Sequence, residues 1–137
     1  MLNARPAKEI IIRMTNEIGA LGRMTKLISD KGIDLLAVSA WVEGADAVIR
    51  LVTDDPVRVL DALKAEKYAA READAVVVDL PHKPGMLRRI TDRLAEGGID
   101  IHHLYATASA GQQESLVVFA SANNDRALVL LNASRPH

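Results

Sequence analysis

The order of apolar and polar residues along the chain predicts a strand followed by a helix near its start. Residues 8–15 are rich in β-branched side chains, which is typical of a strand. After a predicted turn at residues 16–19, apolar or small side chains recur three or four positions apart, at Leu21, Met24, Thr25 and Ile28. This spacing places them on one face of a helix, where they can pack against a sheet.

The pattern continues with two strands, a second helix and a further apolar run. Residues 33–41 and 46–53 predict strands. Asp55 and Pro56 suit the N-cap and the first position of a helix. Residues 68–80 are long enough for two short strands in succession. The first half therefore predicts the order β-α-β-β-α-β, the split βαβ arrangement.

The second half repeats the first. Moving the chain by 66 positions superimposes Gly19 on Gly85, Leu21 on Leu87, Arg23 on Arg89, Thr25 on Thr91, and residues 32–34 on residues 98–100. Repetition at a fixed period indicates duplicated structural units. We predict an α+β protein of two ferredoxin-like βαββαβ units, residues 1–72 and 73–137, with antiparallel sheets and helices on one face.

The second unit differs from the first at its end. A turn is predicted at residues 109–113, followed by a strand and a short helix. Only residues 133–137 then remain, so the final strand is predicted to be short or missing. An unpaired sheet edge recruits other chains. We therefore expect a homodimer or a higher homo-oligomer.

Composition and motifs exclude several classes of function. The net charge is −1, which gives no basic surface for nucleic acid, and cysteine is absent. No apolar run approaches the ~20 residues that span a bilayer. We expect a soluble cytoplasmic protein that binds neither membrane nor nucleic acid. No nucleophile–base pair, metal-ligand cluster or dinucleotide fingerprint is evident, so we expect a non-enzyme without metal or cofactor.

Two loops carry the candidate chemistry. Residues 16–21 and 82–87 each lie between a predicted strand and a predicted helix. A helix start presents unpaired backbone N–H groups and a partial positive charge. A glycine there lets an anion approach the backbone. The loops are therefore suited to a carboxylate, although a simple turn explains the same residues.

These loops resemble those of the ACT-domain family of amino-acid-binding regulatory domains. The resemblance rests on an Asn-x-Pro-Gly-x-Leu pattern after a strand and a Gly-Ile-Asn/Asp pattern after the following helix, and it covers about residues 8–132. It implies a ligand bound by the loop of one domain and the second strand of a neighbouring domain. The implied ligand-binding residues are Asn16, Ile18, Gly19, Ala20, Leu21, Asp34, His82, Pro84, Gly85, Met86, Leu87 and Asp100.

Each loop departs from the family pattern at one position. Ile18 stands where the family has proline, so the first loop loses the preset φ of that residue. His82 stands where the family has asparagine. Either both loops bind ligand or one of them has lost the ability.

The resemblance implies a non-catalytic regulatory protein. Loop N–H groups would bind the ligand carboxylate, and Asp34 or Asp100 would bind its ammonium group. The alternative is a regulatory subunit or adaptor that docks on an amino-acid biosynthetic enzyme. In either case the expected partners are a small amino acid, further copies of the chain and, for the adaptor, that enzyme.

Overall fold

The computed structural model describes residues 2–108 and 114–133 of the 137-residue chain. The chain divides into two compact units. The first unit is Lys8–Ala73, and the second combines residues 2–7 with the described part of residues 74–137. The turn predicted at residues 109–113 and the last four residues lie outside the described residues.

Both units have the predicted order of elements. In chain order the strands and helices are β1 (Asn3–Thr15), α1 (Ala20–Asp30), β2 (Leu35–Glu43), β3 (Asp46–Thr53), α2 (Pro56–Ala65), β4 (Ala69–Pro81), α3 (Met86–Glu96), β5 (Ile101–Ala108), β6 (Glu114–Ser121) and α4 (Asn124–Asn132). The long strands β1 and β4 each contribute residues to both units.

Antiparallel pairing in the first unit sorts the side chains onto two faces. β3 lies between β1 and β2, with Ile12 opposite Ile49 and Ile49 opposite Ala40. The helix-facing side chains form one buried core with those of α1 and α2: Ile10, Ile12, Met24, Ile28, Ile33, Ile49, Leu51, Val59 and Leu63. Because side chains alternate along a strand, Arg13 and Arg50 lie on the other face.

The second unit is built in the same way. β6 lies between β4 and β5, and both pairings are antiparallel. Its core centres on Phe119, which is fully buried among side chains from the sheet and from α3 and α4. The α+β class, the two ferredoxin-like units and the single helical face are confirmed.

The two units also share a local irregularity. Pairing of β2 with β3 shifts register between Leu35 and Ala37. Pairing of β5 with β6 shifts at the corresponding place, between Ile101 and His103. The 66-residue repeat therefore extends to a β-bulge in each second strand, a feature that bends a strand and re-aims its side chains.

The edge predicted to be open in the second unit is occupied by the start of the chain. Residues 3–7 of β1 lie beside β4, where Arg5 forms an ion pair with Asp79. Leu2 and Ala4 are buried in the core of this unit. Ala4 also exchanges two hydrogen bonds of 2.9 Å with the side chain of Asn132, at the end of α4. The division therefore differs from the predicted one, which placed these residues in the first domain.

The predicted open edge was wrong because the missing strand comes from the opposite end of the chain. Residues 3–6 read Asn-Ala-Arg-Pro, which has little intrinsic strand preference. They become a strand because Leu2 and Ala4 fill the core beside β4. An unpaired edge therefore no longer supports self-association, and the homo-oligomer stays a prediction.

Leu2→Asp tests the role of the first residues. Leu2 is 5% exposed, so a carboxylate there is buried without a partner and should reduce the free energy of unfolding by roughly 2–5 kcal/mol. Asn3→Asp is the matched control, since Asn3 is exposed and its replacement should change stability by less than about 0.5 kcal/mol. Urea unfolding measures both. Equal effects would mean that residues 2–7 do not complete the second unit.

Candidate ligand-binding site

The loop between β1 and α1 is a tight turn held by backbone hydrogen bonds. The Asn16 N–H donates to the Ala45 carbonyl (2.9 Å), and the Ala20 N–H donates to the Glu17 carbonyl (3.1 Å). Gly19 is the N-cap residue of α1 and has φ +84°, a left-handed conformation that side chains disfavour. The glycine is therefore required by the turn itself.

The first turn of α1 leaves backbone donors open beside this loop. The Arg23 N–H makes the first helical bond, to the Gly19 carbonyl (3.0 Å). Among the hydrogen bonds of the described residues, none uses the N–H of Leu21 or Gly22. These donors lie at the positive end of the helix dipole, where an anion is favoured.

A cavity of about 300 Å³ lies beside these donors. It is bounded by the loop, by the start of α1 and by the facing parts of β2 and β3: Asn16, Glu17, Gly19, Ala20, Leu21, Gly22, Ala40, Trp41, Val42, Ala47 and Ile49. The volume is at the lower end of the range for small-molecule sites. Its walls combine open amide donors with apolar side chains.

Four of the five predicted residues of the first loop meet at this cavity, and one does not. Asn16, Gly19, Ala20 and Leu21 line it. Ile18 is fully exposed and does not line it. Because Ile18 occupies the family proline position and lies outside the cavity, its difference from the family does not alter the cavity wall.

The second loop has the same backbone conformation with different surroundings. Gly85 has φ +87° and is the N-cap of α3. His82, Pro84 and Leu87 are exposed. Met86 is buried in the core of the second unit, so it contributes to packing.

Asp34 and Asp100 lie at the far end of their own units. Asp34 precedes β2, and its carbonyl accepts from the Asp54 N–H (3.3 Å) at the end of β3. The 11-residue helix α1 separates it from the loop, a length of roughly 16 Å. In the same way, the Asp100 carbonyl accepts from the Ala122 N–H (2.9 Å) after β6. Neither carboxylate reaches the loop of its own unit.

Sequence reasoning did not include Trp41 among the candidate site residues. Trp41 is 37% exposed and lines the cavity. Its indole N–H donates to Glu43 (2.9 Å), and the Arg50 guanidinium lies 5.7 Å from the centre of its ring. The available signal was that Trp41 is the only tryptophan in the sequence. It is far from Gly19 along the chain, and only the folded sheet brings the two residues to one cavity.

The Glu43 carboxylate holds this arrangement in place. It accepts from Trp41 and from Arg13, whose Nη2 is 2.6 Å away. These two hydrogen bonds lower the pKa of Glu43 below its usual range. Glu43 therefore stays ionised, and continues to orient the indole, at a pH where ordinary glutamates are protonated.

An acid titration of Trp41 fluorescence tests this contact. Because the folded-state pKa is lowered, the contact is complete above the ordinary glutamate pKa and is lost as the pH falls through the lower folded value. Trp41 is the only tryptophan, so its fluorescence should change with a midpoint below the ordinary glutamate pKa. Glu43→Gln should remove that transition. The same transition in Glu43→Gln, or a midpoint at the ordinary value, would contradict the contact.

The described residues lack two further features. Within residues 2–108 and 114–133, no three His, Cys, Asp or Glu side chains are grouped so that they could hold a metal ion. In the same part of the chain, no helix has the length and apolar character needed to cross a membrane.

Comparison with known families identifies the class of protein. The model of the ACT domain pair matches residues 6–134, nearly the whole chain. The chain therefore belongs to the ACT domain pair family, as the repeated loop pattern indicated. No curated protein matches the chain.

Solved structures show the same fold. A protein from Bacteroides thetaiotaomicron superimposes with a TM-score of 0.85 at 26% identity, over 93% of this chain and 88% of that one. The ligand-free regulatory subunit of aspartate kinase from Thermus thermophilus gives a TM-score of 0.67 at 13% identity, over 95% and 91%. A structure of aspartokinase α and β subunits gives 0.62 at 16% identity, over 94% of each chain. The last two likenesses establish the fold alone.

Proposed function

We propose that this chain is a non-catalytic regulatory protein that binds a small amino acid in the cavity beside the first loop. The observation that carries the proposal is the open pair of amide donors, on Leu21 and Gly22, at the mouth of an apolar-walled cavity. Membership of the ACT domain pair family and the aspartate kinase regulatory subunit among the structural neighbours are consistent with it.

The chemistry of the cavity suits the three parts of an amino acid. The ligand carboxylate would accept from the N–H groups of Leu21 and Gly22, as anions do at helix starts. Glu17, which also accepts from Arg23 (3.2 Å), is the acidic residue that lines the cavity and would receive the ammonium group. The side chain would lie against Ala40 and Val42 of β2.

The second loop and the two distant aspartates lie outside the cavity to which this proposal assigns the ligand. Gly85 repeats the conformation of Gly19, so the second loop remains a predicted site. Asp34 and Asp100 cannot serve the loop of their own unit. Their role in ammonium binding stays a prediction.

Exposed apolar side chains support docking on an enzyme as a second candidate function. Ile18 is fully exposed, and Leu21 and Val42 are 42% and 56% exposed around the same cavity. Apolar side chains grouped on a surface favour contact with another protein. The partner would be an amino-acid biosynthetic enzyme or a second copy of this chain.

Gly22→Leu tests ligand binding without straining the backbone. Gly19 and Gly85 have positive φ, so replacing them would distort the turn as well as block it. Gly22 has an ordinary helical conformation, and a Cβ there meets no atom within 4 Å. Leucine should stabilise the helix by about 0.5–1 kcal/mol and cover the mouth of the cavity.

The measurement is the melting temperature of the purified protein with each of the twenty amino acids. At least one should raise it, since a ligand at ~100 times its Kd stabilises by about 2.7 kcal/mol. Gly22→Leu should remove that rise. Ser29→Leu is the control, because it places the same side chain two turns further along α1, and it should keep the rise.

The outcomes separate the two candidate functions. No rise with any amino acid, together with an enzyme that co-purifies with the chain, would favour the docking function. A rise that persists in Gly22→Leu would place the ligand elsewhere in the chain.

A further inference from the structure

We propose that the first unit has a second binding site, a groove on the face opposite its helices, which takes a small carboxylic acid with an apolar body. The groove has a volume of about 440 Å³ and is separate from the loop cavity, sharing only Trp41 with it. This volume lies within the range of small-molecule sites. The proposal is independent of amino-acid binding at the first loop.

Strand pairing brings the groove residues together. Trp41 is opposite Val48, Val48 is opposite Arg13, and Arg50 is opposite Ile11. Directly opposite side chains in antiparallel strands are ~5 Å apart, so these five form one continuous surface. Arg71 and two alanines of β4, at positions 69 and 70, complete the lining.

Two of the three arginines in the groove are fixed by acidic partners. Arg13 donates to Asp46 (3.0 Å) and Glu43 (2.6 Å). Arg50 donates to Glu9 (2.6 Å), a fully buried carboxylate. These pairs offset the charges of Arg13 and Arg50 and hold their guanidinium groups in position.

The third arginine is available to a ligand. Arg71 is exposed and forms no hydrogen bond or ion pair with the part of the chain that the structure describes. Its guanidinium matches the geometry of a carboxylate, to which it can donate two parallel hydrogen bonds. One uncompensated positive charge fits an acid with a single negative charge.

The other residues of the groove determine which chemical groups a bound acid can have besides its carboxylate. Trp41, Val48 and Ile11 give an apolar wall for the body of the ligand. Glu43 is the only carboxylate among the lining residues, and it already accepts from Trp41 and Arg13. An ammonium group would therefore lack an acceptor and would be repelled by the uncompensated guanidinium of Arg71. The groove selects an apolar carboxylic acid over the matching amino acid.

Trp41 provides a reporter inside the groove. Titration of the full chain with 3-phenylpropionate should give a saturable change in Trp41 fluorescence, and 4-methylpentanoate should do the same. Arg71→Gln should raise the Kd for both acids at least about tenfold, because it removes a charge-assisted pair. Arg126→Gln, an exposed arginine of α4, is the matched control and should leave the Kd unchanged.

Two further arms separate this site from the loop cavity. Gly22→Leu should keep the response to 3-phenylpropionate, because it blocks only the loop cavity. Phenylalanine, which adds an α-ammonium group, should bind the groove more weakly than 3-phenylpropionate. A saturable response to neither acid, an unchanged Kd in Arg71→Gln, a loss of response in Gly22→Leu, or tighter Arg71-dependent binding of phenylalanine would overturn the proposal.

Discussion

Burial of alternate side chains along β1 and β3 is the constraint on which the first unit depends. Ile10 and Ile12 pack against the helices, and this leaves Ile11 and Arg13 on the opposite face. A shift of one residue would turn Arg13 into the core and the isoleucines out of it, at a cost of several kcal/mol. The core therefore also fixes the groove on the other face and the point at which β1 ends in the loop.

Polar contacts then determine the shape of the two cavities. Glu9 is fully buried and would be costly without its ion pair to Arg50. Arg50 in turn lies over the ring of Trp41, and Glu43 holds the indole N–H. Trp41 lines the loop cavity and the groove, so these contacts orient one wall that both cavities share.

Duplication has preserved the backbone of the two units more closely than their chemistry. Gly19 and Gly85 have nearly equal φ values, and the β-bulge recurs in β2 and β5. The side chains around the loops differ, because Met86 is part of the second core while His82 and Pro84 are exposed. Backbone conformation depends on residues that are close in sequence, and a duplication copies these residues together. The lining of a cavity depends on many positions that can change one at a time.

The sequence by itself determined the α+β class, the duplicated order of elements and the two glycine turns, because periodicity and turn chemistry are local properties. Asn16, Gly19, Ala20 and Leu21 could be placed at the first site because they are close in sequence. Only the tertiary structure brought Trp41 to that site and separated Asp34 from it, since strand pairing joins residues that are far apart along the chain. It also placed Leu2 and Ala4 in the second core, because burial against Phe119 and its neighbours outweighs the weak strand preference of the first residues.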